Sequence, residues 1–488
     1  MSSETRAVPG SARLFYDGSW HPAAAGATMR TSNPATGADL GAVAVAGTDD
    51  VDAAVRAARR AFPAWRGRTP TERAGVLKAM AAVLRANADE LARIDVADSG
   101  GPVTVMLRDV ETSAQTLEFF AGLVSELKGE TVPMGDGNLN YTVREPWGVV
   151  ACILAYNHPL LFAIGRIAPA LAAGNTVVVK PADQTPLSAL RLAELFADVL
   201  PAGVFNVVTG DRGTGAALAA HPLVARSSLV GSVATGKAVL RAAAEFVRPV
   251  ALELGGKNAM IVRPDAPADV VVAAAVGGMN LALAGQSCGS ITRLFLHDSV
   301  HDALLPQIVE AVAKVRPGSP ESPDTRMGPL ISEAQRQKVV GYVESAKAEG
   351  ARLMLGGGVP ADPALAGGFF FEPTIFADVT MDMRVAREEI FGPVLSVLRW
   401  SDEETVIEQA NMLDYGLTAA IFTRDLDAAH RFARRLEAGY VWVNQIGNHF
   451  LGAPFGGAKQ SGLGREECLE ELLASTQVKN VNIRFLEP

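Results

Sequence analysis

Cys288 lies in the stretch Gly285-Gln286-Ser287-Cys288-Gly289-Ser290, and it alone of the chain's three cysteines is set among small and polar residues. An apolar, helix-like run from Val270 to Leu283 precedes it, and a strand-like run from Ile291 to His297 follows. A joint between helix and strand is a surface or cleft position, where small neighbours let a substrate carbonyl approach sulfur. A thiol with an ordinary pKa of about 8.5 is mostly protonated at neutral pH, so a nucleophilic cysteine needs help from its surroundings. The competing reading of one cysteine is a packed structural residue, since free Cys is among the most buried residue types. Four other clusters decide between the two.

The first is Val250-Ala-Leu-Glu253-Leu-Gly-Gly-Lys257. A strand-borne Glu is ordinarily on a solvated face. On a central strand of a parallel sheet both faces are covered, and Glu253 near the strand's end would face a cleft with a raised pKa, which suits a general base. The second is Tyr156-Asn157-His158-Pro159 after the apolar strand Val149–Leu154. Asn157 reads as turn chemistry or as an amide donor to a developing oxyanion, a contact typically worth about 2.7–4 kcal/mol in a transition state. The third pairs Lys180 and Asp183, at a strand end, with the turn Gly231-Ser232 before a helix. Free N–H groups at such a helix start suit a phosphate, and Lys180 with Asp183 suits ribose hydroxyls, although the turn lacks the GxGxxG spacing of a dinucleotide fingerprint. The fourth comprises Glu388-Glu389-Ile390-Phe391-Gly392-Pro393 and the Gly-rich stretch from Pro454 to Glu466.

The elements that must position these residues follow from length and patterning. A chain of 488 residues is longer than one core usually serves, so two large domains are expected. With 49% hydrophobic and 20% charged residues it is an ordinary globular chain, and its net charge of −9 argues against nucleic-acid or anionic-membrane partners. Three cysteines make no disulfide framework, Met1–Gly10 lacks a signal-peptide core, and no apolar run reaches the roughly 20 residues of a membrane span. A cytoplasmic protein is expected. Asp17-Gly18 between apolar flanks predicts a hairpin, and Thr69-Pro70-Thr71-Glu72 predicts a capped helix start. From Gly148 the chain alternates strand and helix. Strands are predicted at Val149–Leu154, Thr176–Val179, Val204–Val208, Ser227–Val230 and Val250–Leu254. A second block has strands at Ala259–Val262, Ile291–Leu296, Leu353–Leu355, Val394–Leu398, Ala419–Phe422 and Tyr440–Val443.

Taken together, LELGGK, GQSC, EEIFGPV and PFGGAKQSGLGRE, in this order and at these spacings, resemble the signatures of the NAD(P)-dependent aldehyde dehydrogenase superfamily over essentially the whole chain. The resemblance implies Cys288 as nucleophile, Glu253 as general base and Asn157 as oxyanion donor. It places Lys180 and Asp183 at the adenine ribose, Gly231 and Ser232 at the pyrophosphate, and Glu389 and Phe391 at the nicotinamide ribose and ring. Tyr156 stands where many members have Trp beside the cofactor phosphates. NAD is the implied cofactor, with NADP possible, and no metal is expected. Asp183 is one methylene shorter than the family's usual Glu, and Ser228-Leu229-Val230 replaces a usual Phe-Thr phrase.

The implied fold is α/β: two doubly wound α/β domains, one a Rossmann-like cofactor domain (1–128 and 147–254) and one catalytic (255–473), with a small β oligomerisation arm (129–146 and 474–488). A homodimer or homotetramer is implied. The implied reaction is oxidation of an aldehyde to its acid through a thiohemiacetal and an acyl thioester that water, activated by Glu253, then hydrolyses. Coenzyme A acylation and a non-catalytic binding role on the same fold are the alternatives; Glu253 weighs against the first, and the presence of Cys288, Glu253 and Asn157 against the second. Matching the family's substrate tunnel gives Phe162, Gly165, Leu281, Leu283, His449 and Phe455. That lining has no Arg or Lys, so neutral aliphatic or aromatic aldehydes are expected, with His449 the one polar residue able to select a hydroxyl.

Overall fold

A computed structural model of the chain describes residues 12–486, so the signal-peptide expectation for Met1–Gly10 lies outside the described residues. Two large sheets dominate. The first has eight strands in the order Ser19–His21, Leu14–Tyr16, Phe205–Val207, Thr176–Lys180, Val149–Ile153, Val224–Val230, Val250–Glu253, Gly462–Leu463. Its five central strands are parallel and run 3-2-1-4-5 in chain order. The direction of winding therefore reverses between Val149–Ile153 and Val224–Val230, which opens a crevice at the carboxyl ends of these strands. Val177 and Val179 pack into one core while Val178 packs into another, so both faces are covered and the strand reads as a continuous apolar run.

The second sheet has seven strands in the order Arg352–Leu355, Thr374–Ala377, Val394–Trp400, Ile291–His297, Asn258–Val262, Thr418–Phe422, Tyr440–Val443. All are parallel except the edge strand Arg352–Leu355. Only four residues, Leu254 to Lys257, separate the end of Val250–Glu253 from the start of Asn258–Val262. The carboxyl ends of the first sheet thus meet the amino ends of the second, and the chemistry-bearing loops lie at that seam.

The hairpin at Asp17-Gly18 forms with both residues at positive φ (54° and 71°), the conformation a two-residue turn between right-twisted strands requires. Thr69 and Glu72 cap the helix Pro70–Ala86 reciprocally, with Glu72 N–H donating to Thr69 Oγ1 at 3.2 Å and Thr69 N–H to Glu72 Oε2 at 2.7 Å. Strand Asn138–Pro146 pairs along all nine residues with Thr476–Arg484 and on its other side with Thr131–Val132, a three-stranded sheet separate from the two large ones.

Three local expectations change. The run Val270–Leu283 is not one helix: it stops at Gly278, and Asn280 (φ 49°) and Ala284 (φ 51°) bracket a single 3-10 turn, because Gly277-Gly278 followed by Asn is a helix terminator. Thr374–Ala377, a fully buried strand, has no sequence signal beyond four residues after Pro373. Gly462–Leu463, expected as part of a Gly-rich loop, joins the first sheet as an antiparallel edge strand against Leu252 and Glu253, and Leu472 packs into a core of the first sheet. No described helix is long and apolar enough to cross a membrane.

Candidate active site

The sequence Gly285–Ser290 forms a tight loop because its own side chains close it. Ser290 Oγ donates to the Gly285 carbonyl at 3.2 Å, and Ser290 N–H to the Ser287 carbonyl at 3.1 Å. Two residues then fix it to the rest of the fold. Asn258 Nδ2 donates to the Cys288 carbonyl at 2.6 Å and the Ser290 carbonyl at 2.9 Å, while its Oδ1 accepts from Thr418 N–H at 3.1 Å. Gln286 Nε2 donates to the Leu283 and Pro329 carbonyls, and its Oε1 accepts from Ile331 N–H at 3.0 Å and from the Tyr156 hydroxyl at 3.3 Å. Residue 156 is thereby tied directly to the cysteine loop.

Gly285 adopts φ +72°, and a Cβ there would sit 2.3 Å from the Gly392 carbonyl oxygen. Gly285→Ala is therefore expected to force the loop off Phe391-Gly392-Pro393. It should lower stability by at least the roughly 1–2 kcal/mol of a left-handed non-glycine residue and reduce kcat as well, measured by thermal unfolding and turnover. A wild-type Tm and rate would show that the loop has slack.

Cys288 is half-buried, and Glu253, at the end of its strand, is 3% exposed with Oε1 making no hydrogen bond. Burial pushes the Glu253 carboxyl well above the ordinary carboxylate range and Glu466 adds to this, while hydrogen bonding to Cys288 and the charge of Arg166 oppose it. The Cys288 thiol is likewise pushed up, first by burial and then by Glu253. The two groups face each other, and burial disfavours the anion of both. The other cysteines differ. Cys152 and Cys468 are fully buried, with thiols pushed up to about 12 by burial.

Asn157 is 5% exposed and sits beside Tyr156 at the carboxyl end of Val149–Ile153. Tyr156 meets the Phe391 ring edge-on at 5.7 Å. Phe391 has φ 56°, and Gln335 Nε2 holds this strained backbone by donating to the Ile390 and Phe391 carbonyls at 3.0 and 2.7 Å. Glu389 Oε1 accepts from Gly256 N–H at 3.0 Å, and a Cβ on Gly255 would lie 2.2 Å from Glu389 Oε2, so the carboxylate rests in a groove only glycine leaves open. Burial raises the Glu389 pKa against the charges of Lys338 and Lys257.

A dinucleotide fits the remaining residues. Ser232 caps the helix Val233–Ala244, accepting from Thr235 N–H, and leaves the first N–H groups of that helix facing outward at the crevice. Lys180 is 6% exposed and its ammonium pKa is lowered by burial, with the carboxylates of Asp183 and Asp211 opposing; Asp183 itself is exposed. Gly231 N–H is bound to the Glu253 carbonyl at 3.0 Å, which joins the Gly231-Ser232 turn to the strand carrying Glu253.

The residues assigned to the substrate tunnel separate into two groups. Phe162 and Gly165 lie half-buried on the helix Pro159–Ala173, and a Cβ on Gly165 would meet nothing within 4 Å. Phe455 is buried, packs 4.4 Å from the His449 ring, and its backbone bridges Glu466. His449 is exposed, stacked on Tyr440, with a ring nitrogen 3.3 Å from Glu467. Leu281 and Leu283 do not join them. Leu281 is packed in the core of the second sheet and Leu283 in the helical core of the first, because the break after Gly278 turns both side chains inward.

Several site residues were not anticipated. Asn258, Gln286 and Gln335 act by bonding to backbone far along the chain. Arg166, buried on an otherwise apolar helix face, pairs with Glu466 and lies 3.8 Å from Glu471; a lone Arg in such a helix was the available signal. Lys257 is 1% exposed, its Nζ makes no hydrogen bond, and burial lowers its pKa to about 7.

A buried carboxyl against a cysteine thiol, at the seam between a dinucleotide-type sheet and a second parallel sheet, defines the class in which this chain falls. The Aldehyde dehydrogenase family profile matches residues 20–481, and the chain belongs to that family. It is 52% identical over 479 residues to the aldehyde dehydrogenase tropH of Talaromyces stipitatus, covering 97% of this chain and 93% of that one. Among solved structures it resembles a putative aldehyde dehydrogenase from Burkholderia cenocepacia (TM-score 0.95, 40% identity, covering 98% and 99% of the two chains). It also resembles the NAD+ complex of an aldehyde dehydrogenase from Bacillus cereus (TM-score 0.95, 38% identity, covering 100% and 99%).

Proposed function

We propose that this chain oxidises a neutral aldehyde to its carboxylic acid with NAD+, using Cys288 as nucleophile, Glu253 as base and Asn157 as oxyanion donor. The observation that carries the reading is the Glu253 carboxyl buried against the Cys288 thiol. Glu253 accepts the thiol proton as sulfur bonds to the aldehyde carbon, and Asn157 Nδ2–H with the Cys288 backbone N–H holds the resulting oxyanion. NAD+, when bound, accepts the hydride that leaves this carbon. Lys180 and Asp183 would hold the adenine ribose, Gly231 and Ser232 the pyrophosphate with Tyr156 beside the phosphates, and Glu389 and Phe391 the nicotinamide ribose and ring. Once the thiol proton has passed from Glu253 to solvent, the carboxylate takes a proton from water as the water oxygen attacks the acyl carbon, and the acid leaves as sulfur recovers its electron pair and takes that proton from Glu253. A carboxyl in this place favours hydrolysis over acyl transfer to coenzyme A.

Phe162, Gly165 and Phe455 supply an apolar approach, and no Lys or Arg stands among them to pair a substrate carboxylate. The chain divides into a cofactor domain (1–128 and 147–254), a catalytic domain (255–473) and an arm, the arm pairing with a second copy. The exposed Val132, Met134, Leu139, Val478 and Ile483 of the arm support this, and a monomer in sedimentation would remove it. The test of the activity is NADH formation across hexanal, benzaldehyde, succinic semialdehyde and betaine aldehyde, with and without coenzyme A. The neutral aldehydes should win and coenzyme A should not be required. NAD+ should exceed NADP+ in kcat/KM by roughly fivefold or more, since Asp183, with Asp211 beside Lys180, accepts from a 2′-hydroxyl and repels a 2′-phosphate. A preference for NADP+ would show that Asp183 points away from the ribose.

A further inference from the structure

We propose that His158, oriented by Asp109, reads a hydroxyl group on the aldehyde, so that the preferred substrates are neutral hydroxyaldehydes. The proposal rests on the aldehyde-oxidising reading above and names the substrate class of that same site.

His158 follows Asn157 directly and caps the helix Pro159–Ala173. Its neighbour Tyr156 is bonded to Gln286 in the cysteine loop, so the 156–158 segment borders the nucleophile. Residues 162, 165 and 166 share one face of this helix, and the His158 ring packs on Phe162 at the start of that face. Along that face lie Phe162, the open space at Gly165, and Arg166, which reaches Glu466 beside Phe455. His158 therefore stands on the face that carries the apolar approach to Cys288.

The ring is fixed on two sides. Nδ1 lies 2.6 Å from Asp109 Oδ2, and the ring meets Phe162 edge-on at 5.5 Å. Asp109 is buried on the helix Val103–Gly122. Nε2 makes no hydrogen bond among the described residues, yet the side chain keeps 19% of its exposure. A nearly buried imidazole is thus held rigidly with one polar atom unserved, and burying such an atom against a purely hydrocarbon substrate would leave it unpaired.

The chemistry of the missing partner follows from the tautomer. With Nδ1–H given to Asp109, a neutral ring offers a lone pair at Nε2 and a protonated ring offers an N–H. Burial disfavours the charged ring, but Asp109 and Asp95 outweigh it and raise the pKa above the ordinary value, with Arg108 opposing. A hydroxyl serves either form, because it both donates and accepts. A carboxylate serves only the protonated ring, with Asp109 and Asp95 behind it repelling. His449, the residue first suggested for this task, is exposed and already faces Glu467, so water competes for it.

The experiment compares kcat/KM for benzaldehyde, its three monohydroxylated isomers and 4-carboxybenzaldehyde, with NAD+ and the full chain. In the wild type at least one hydroxybenzaldehyde should exceed benzaldehyde by about 10- to 100-fold, the size of one buried hydrogen bond, mainly through KM. The same ratio measured within His158→Phe should fall to about one, and within Asp109→Asn it should shrink while staying above one. A ratio unchanged in His158→Phe overturns the proposal. So does a wild type that is indifferent to every hydroxyl or that favours the carboxylate, results that need no variant to fold. Absence of NADH with any aldehyde would instead sink the activity reading itself.

Discussion

Cys288→Ala is expected to lower aldehyde oxidation by about 10⁶-fold, the scale on which loss of a covalent nucleophile is felt, while NAD+ still binds. The reason is that Cys288 is the one thiol at the seam, facing Glu253, with Cys152 and Cys468 buried elsewhere. Ser287 and Ser290 share the loop, but the Ser290 hydroxyl is buried and committed to the Gly285 carbonyl. The residues proposed for the cofactor sit on other elements: Lys180 and Ser232 at strand and helix ends of the first sheet, and Glu389 in its groove against Gly256. Quenching of protein fluorescence or calorimetric titration would read NAD+ binding directly. Cys152→Ala and Cys468→Ala should keep activity, since both thiols are buried in cores with their acidity suppressed. Substantial turnover by Cys288→Ala would remove the covalent mechanism.

Glu253→Gln is expected to release about one equivalent of NADH per site and then slow by about 10²–10⁴-fold, leaving an acyl group on sulfur that mass spectrometry would detect. Two protons are at stake in Glu253's role, that of the thiol and that of water. The first can pass to solvent instead, so one round of oxidation survives loss of the base. The second must leave for every hydrolysis. In the wild type the raised Glu253 pKa has a definite sign: the base form is lost as pH falls through it, so steady turnover should drop toward acid pH from a point above the ordinary carboxylate range. Fast steady turnover in Glu253→Gln, or an acid limb near the ordinary Glu pKa, would place the base elsewhere.

Much of the architecture could be read along the chain. The parallel strands are fully buried, so they appear as short apolar runs bounded by Gly and Pro, and the hairpin and the capping box carry their own local chemistry. Edge and irregular pieces were harder. Thr374–Ala377 is too short for a periodicity, and Gly462–Leu463 becomes a strand only because Leu252 and Glu253 offer it an unpaired edge. The residues that hold the site were harder still. Asn258 spans 30 positions to Cys288 and 160 to Thr418, and no window of local sequence contains such a bond.

By itself the sequence determined which groups are available and in what order: a thiol in a loop of small residues, a carboxylate closing an apolar strand, an amide after another strand, and glycines where backbones must approach. Those are properties of residue type and neighbour spacing. Only the tertiary structure decided that the Glu253 carboxyl and the Cys288 thiol face each other and that burial raises the pKa of both, since acidity depends on burial and on charges such as Glu466 and Arg166 that arrive from distant segments. It likewise decided that Leu281 and Leu283 belong to cores while His158 keeps one nitrogen free, because which way a side chain faces is set by where a helix breaks and what packs against it.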